Sequence, residues 1–102
     1  MTIPSNALNH PVITEITGTT ITDTYTEAVD LGKVYTYKHI MIDSRVDVDI
    51  LIAFGEVTPA NPIPAVAGEI PVLDGFEHNG KIWIKTATAT AATTGFVRLF
   101  SW

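Results

Sequence analysis

Residues 34–54 read VYTYKHIMIDSRVDVDILIAF, and this stretch decides the fold. In 34–42, Tyr35, Tyr37, His39 and Met41 share one face, while Val34, Ile40 and Ile42 take the other. Asp43-Ser44-Arg45 has the composition of a turn. Beyond it Val46, Val48, Ile50, Ile52 and Phe54 alternate without a break, opposite Asp47, Asp49, Leu51 and Ala53. A period of two, carried by β-branched and aromatic residues, is the pattern of half-buried strands. The two runs are expected to pair as an antiparallel hairpin. The outer face of the second changes from charged to apolar, which implies one exposed end and one end covered by a loop or a partner.

The same period extends outward on both sides. Val12, Thr14 and Ile16 alternate with Ile13, Glu15 and Thr17, Gly18 interrupts, and a threonine-rich run continues to Thr26 before Leu31-Gly32-Lys33 turns the chain. Residues 55–68 hold three of the six prolines, at 59, 62 and 64. Proline cannot donate to a central ladder, so an extended loop is expected there. A short strand at Ile70–Leu73, a turn at Asp74-Gly75 and a further piece from Phe76 come next. Asn79-Gly80 between apolar runs is a strong hairpin signal. Lys81–Thr86 (KIWIKT) sets Ile82 and Ile84 against Trp83, the Thr/Ala tract at 86–94 reads as small residues running into a loop, and Phe96–Trp102 closes the chain.

About seven or eight strands, with turns every 8–12 residues and no helical pattern, predict an all-β antiparallel sandwich. A jelly-roll-like arrangement is preferred to a closed barrel, because a proline-rich crossover suits a strand that switches sheets. Residues 12–102 form this single domain, preceded by an N-terminal arm at 1–11 in which Ile3, Pro4 and Leu8 stand among polar residues. The arm reads either as a frayed terminus or as a tether laid across a neighbouring subunit.

Composition narrows the function. Among 102 residues there are 6 lysines and arginines against 11 aspartates and glutamates, a net charge of −5, with fifteen threonines and no cysteine. A disulfide scaffold, a thiol nucleophile and cysteine-bound zinc are thereby excluded. The acidic balance argues against nucleic acid as a partner, since phosphate contacts need a basic surplus. No apolar run approaches the roughly 20 residues of a membrane-spanning helix. Residues 1–9 lack the positive charge of a signal peptide, and the absence of cysteine fits synthesis in a reducing cytoplasm.

Motif chemistry is sparse. His10, His39 and His78 have no zinc-ligand spacing, and Asp43, Asp47 and Asp49 supply too few oxygens for calcium, so no metal or cofactor is expected. Ser5, Ser44 and Ser101 lie outside any nucleophile elbow, and Asp74 with Glu77 is better explained by a turn than by glycoside hydrolysis. No enzymatic activity is expected. Trp83 and Phe100 are expected in the core. The terminal Trp102 either docks on its own sheet or sits in a subunit interface, where tryptophan is enriched. Tyr35 and Tyr37 on one face offer a sugar-stacking platform or a half-buried pair.

Residues 70–76 (IPVLDGF), 79–85 (NGKIWIK), a small-residue tract, Gly95 and a closing strand ending in Trp102 together resemble small virion structural proteins of tailed bacteriophages. The likeness covers about residues 34–102 and rests on sandwich punctuation rather than on active-site signatures. It implies a non-enzymatic role in the virion, assembled in the host cytoplasm. The first candidate is a capsid decoration (cement) protein, a homotrimer seated on the major capsid protein. Ile3, Pro4, Leu8 and Trp102 are its candidate partner contacts. The alternatives are a tail, neck or baseplate component, or a receptor- or carbohydrate-binding module using Tyr35, Tyr37 or Trp83.

Overall fold

The computed structural model describes residues 11–102. Among the described residues eight strands form, β1 (Val12–Thr17), β2 (Thr26–Asp30), β3 (Tyr37–Ser44), β4 (Ile50–Phe54), β5 (Ala60–Ala65), β6 (Val72–His78), β7 (Lys81–Thr86) and β8 (Phe96–Ser101). One sheet runs β1-β8-β3-β6 and the other β2-β7-β4-β5, with every pairing antiparallel. The pairs β1–β8, β2–β7, β3–β6 and β4–β5 are nested, as in one long hairpin rolled into two layers. That is the jelly-roll arrangement expected from the sequence.

Apolar alternation builds the core between the layers. Ile40 and Ile42 of β3, Ile50 and Ile52 of β4, Ile82 and Ile84 of β7, and Val97 and Leu99 of β8 are essentially without solvent contact. KIWIKT behaves as its pattern requires, with Ile82 and Ile84 inward and Trp83 outward. Gly18 ends β1 in a single 3-10 turn at Gly18–Thr20, after which Ile21 drops into the core. The threonine-rich run after it is not strand until Thr26.

Several local expectations need correction. β3 and β4 lie in different sheets, so 34–54 is not a hairpin. Asp43 and Ser44 are buried within β3 rather than forming a turn. The crossing is made by residues 45–49, where Val46 is 5% exposed. Its alternation persists because this arch plugs the end of the sandwich. Asp47 and Asp49 fasten it, accepting hydrogen bonds from Thr93 N–H (3.0 Å) and Ala67 N–H (2.9 Å) respectively.

The proline-rich stretch contains β5, an edge strand opposite β4. Pro62 and Pro64 are two residues apart, so both missing N–H groups fall on the same side of the strand, the side that an edge leaves unpaired. Asp74-Gly75 does not reverse the chain. It lies in a register shift within the continuous β6, where four β6 residues span the interval of two on β3 and Gly75 has φ +70°. Asn79-Gly80 joins β6 to β7 across the two layers rather than within a hairpin. Its backbone is tied to the other turn at that end, Gly80 N–H to Gly32 O (2.7 Å) and Leu31 N–H to Gly80 O (2.8 Å).

Candidate docking face

A sheet packed on one side ordinarily turns a polar face to water. The outer face of β1-β8-β3-β6 departs from that. Ile13 is opposite Phe100, Phe100 opposite Met41, and Met41 opposite Val72, giving an apolar row across all four strands. Ile13 is 64% and Val72 50% exposed, and Ile70 beyond the start of β6 is 44% exposed. The sequence reading placed Phe100 in the core. The β8 alternation instead gives the inward positions to Val97, Leu99 and Ser101 and leaves Phe100 outside.

Charged residues bound the row on one side. Glu15, Arg98 and Asp43 occupy adjacent positions on β1, β8 and β3. Arg98 Nε–H donates to Glu15 Oε1 (2.8 Å), its guanidinium lies 4.5 Å from the Phe96 ring centre, and Arg45 Nε–H donates to Asp43 Oδ1 (2.7 Å). An exposed pair such as Arg98–Glu15 adds about 0–1 kcal/mol, so its weight is in orientation rather than stability.

Trp102 bounds the other side. Its backbone extends the β8–β3 ladder, with Trp102 N–H donating to His39 O (3.1 Å) and His39 N–H to Trp102 O (2.9 Å). Its ring stacks on His39, centroids 5.2 Å apart and planes at 19°. His39 Nδ1 lies 3.0 Å from Asp74 Oδ1. Trp102 therefore docks on its own sheet and remains partly exposed at the margin of the apolar row. The other candidate contacts, Ile3, Pro4 and Leu8, lie outside the described residues. The row itself is the feature that sequence reasoning missed. Its only signal was apolar residues on outward positions of separate strands, and only the register brings those together.

The remaining candidates resolve differently. Tyr37 is 2% exposed, so the tyrosine pair does not form an open platform, and burial raises its phenol pKa. Trp83 is outside the core, on the other sheet beside Ala53, with Nε1–H donating to Gly55 O (2.8 Å). Asp43, Asp47 and Asp49 serve Arg45, the 93–94 backbone and Ala67 separately. No group of three or more potential metal ligands converges among the described residues. Asp47, holding the Thr93 hydroxyl and the Thr93 and Thr94 amides, has its pKa lowered to about 2.

One serine–histidine contact does form. Ser101 Oγ lies 2.9 Å from His78 Nε2, and His78 Nδ1 lies 2.8 Å from Phe76 O. A carbonyl only accepts, so Nδ1 carries the proton and Nε2 accepts from the serine hydroxyl. Both side chains are buried, among Tyr37, Phe54 and Phe76, and a carbonyl occupies the place where a catalytic triad has an acid. The pair satisfies buried polar groups.

Burial pulls the His78 pKa below its ordinary 6.5. Above 6.5 both folded and unfolded states hold it neutral, and its contribution is complete. As pH falls below 6.5 the unfolded chain takes up a proton that the folded chain refuses, so stability declines until the folded pKa is passed. Urea midpoints measured from pH 8 to pH 5 should therefore fall more steeply for the wild type than for His78→Gln. Parallel curves for the two would refute this role for His78.

No family model matches the chain, and no curated protein and no solved structure matches it.

Proposed function

We propose that this protein is a non-enzymatic structural component of a bacteriophage particle, a decoration protein held on the capsid by the outer face of β1-β8-β3-β6. The observation that carries the reading is the apolar row Ile13–Phe100–Met41–Val72, spanning four strands between an ion-paired row and Trp102. A contiguous exposed apolar patch rimmed by polar groups is the usual mark of a protein–protein contact. Supporting it are the general likeness of residues 34–102 to small virion proteins and the acidic charge, which suits a shell surface better than packaged DNA. Repeated copies on a symmetric shell need only modest individual contacts to act together as a clamp.

The test uses purified shells lacking the protein, to which wild type and Val72→Lys are added back. Val72 is half exposed, so Val72→Lys should alter folding stability by no more than about 0.5 kcal/mol. A lysine buried within a contact loses its hydration without a partner, and shell affinity should fall at least about tenfold, equivalent to 1.4 kcal/mol. Equal retention of the two proteins would exclude this face as the attachment surface.

A further inference from the structure

The two sheets have four edge strands, β1, β6, β2 and β5. Three of them carry features that oppose pairing with another chain. β5 holds Pro62 and Pro64, β6 has a register shift at Gly75, and β2 has one between Glu27 and Val29. β1 has none of these. Its six residues, VITEIT, pair with β8 in unbroken register from Val12 to Thr17.

Among the described residues, the hydrogen-bonding groups of β1 that have no partner follow from the ladder. Trp102 exchanges hydrogen bonds with His39, so alternate residues 97, 99 and 101 of β8 direct theirs to β1. Their partners are Ile16, Thr14 and Val12. Gly18 N–H donating to Gly95 O (2.8 Å) has the same parity. Ile13, Glu15 and Thr17 therefore direct N–H and C=O away from the sheet. Thr17 O accepts the Thr20 hydroxyl (2.6 Å), which leaves the amides and carbonyls of Ile13 and Glu15, together with Thr17 N–H, as the outward pairing set.

We infer that β1 is a strand-addition edge whose occupant is β1 of a second copy, antiparallel about a two-fold axis at Thr14. Register selects this arrangement. Centred on Thr14, Ile13 of each copy pairs with the second copy's Glu15, and four of the five outward groups on each side are used. On the inner face Val12 meets the second copy's Ile16. Centring on Glu15 would oppose two carboxylates, which is destabilising. Centring on Ile13 would pair Glu15 with Pro11, which has no N–H. The Glu15 carboxylate is already held by Arg98, so its methylenes are left to cover the exposed Ile13. The second copy would also close one side of the cleft of about 440 Å³ lined by Ile16, Thr20, Thr26 and Ile84 between β1 and β2. A contact of one strand pair is small, so association is expected to be weak. The inference concerns the edge of the sheet and meets the outer face only at Ile13 and Glu15, at one end of the apolar row.

Thr14→Cys tests it directly, because the chain has no other cysteine. At the axis the two Thr14 residues form a non-hydrogen-bonded pair with Cα atoms about 4.5 Å apart, within the span a disulfide accepts. Under mild oxidation Thr14→Cys should give a disulfide dimer at least tenfold faster than Thr88→Cys on the exposed 87–95 loop. Ile13→Cys and Glu15→Cys, offset from their own copies by two residues, should not. By sedimentation the wild type should show a dimer at sub-millimolar concentration. Glu15→Pro removes an outward N–H and no backbone bond to β8, giving up only the exposed ion pair with Arg98, and should shift that equilibrium at least tenfold toward monomer. Equal cross-linking at residues 14 and 88 would overturn the proposal. So would a wild-type monomer or trimer whose mass Glu15→Pro leaves unchanged, which would point to another occupant of β1 or another contact between copies. Shell retention is read on Val72→Lys, at the opposite edge of the sheet from β1, so loss of the dimer and loss of shell binding remain distinguishable.

Discussion

Gly95→Ala is expected to lower stability by about 4 kcal/mol or more, enough to unfold a domain of this size at moderate temperature. Two costs combine at this position. Gly95 has φ +85°, a conformation that an L side chain occupies only under strain of about 1–3 kcal/mol. A Cβ there would also collide with the carbonyl oxygen of Arg45 and lie 2.8 Å from the carbon of that carbonyl. The clash is with backbone that has little room to move, because Arg45 N–H donates to Phe96 O (2.8 Å) and Gly18 N–H to Gly95 O (2.8 Å). Gly95 is thus where the end of β1, the start of β8 and the arch from β3 to β4 meet. Gly68→Ala separates the two costs. Its φ is +83°, but a Cβ there meets nothing within 4 Å, so only the strain remains, about 1 kcal/mol. Urea titration of both variants checks the pair, and equal losses would show that the Arg45 contact does not limit the fold.

Ile52→Ala should cost about 3–4 kcal/mol. Ile52 has no solvent contact and stands between Ile84 on β7 and Ile63 on β5, in the middle of its sheet. Removing three carbons there forfeits their transfer free energy. It also leaves a cavity that two flanking strands prevent from collapsing. Ile13→Ala makes the same chemical change on the outer face, where 64% of the residue is already in water, and should cost no more than about 0.5 kcal/mol. Thermal or urea unfolding of both variants reads the inward and outward assignment of each strand face. A loss at Ile13 as large as at Ile52 would mean that the outer row is already covered in the isolated protein.

Period-two alternation made the layers legible, because a strand with one buried face writes that face every second residue. Ile50 and Ile52, Ile82 and Ile84, and Val97 and Leu99 are inward as their spacing requires. Pairing partners were not legible. The alternation of Val46 and Val48 joins that of β4 although those residues form the arch, since a buried arch and a buried strand both need apolar residues. Asn79-Gly80 specifies a tight reversal with positive φ at Gly80, but not whether the two strands it joins share a sheet. The prolines of 59–64 excluded a central strand, and an edge strand was the solution they still permitted. For the candidate site, Trp102 stood out as a terminal tryptophan. Ile13, Met41, Phe100 and Val72 became one surface only when the registers of β1, β8, β3 and β6 were aligned.

The measurement that bears most directly on a structural role at the capsid surface is the number of copies of this chain per purified particle, by quantitative mass spectrometry against the major capsid protein. A decoration protein occupies the repeated sites of a symmetric shell, so copies on the order of hundreds are expected. A count near six or twelve, as for a ring in the tail or neck, or absence of the chain from purified particles, would contradict it.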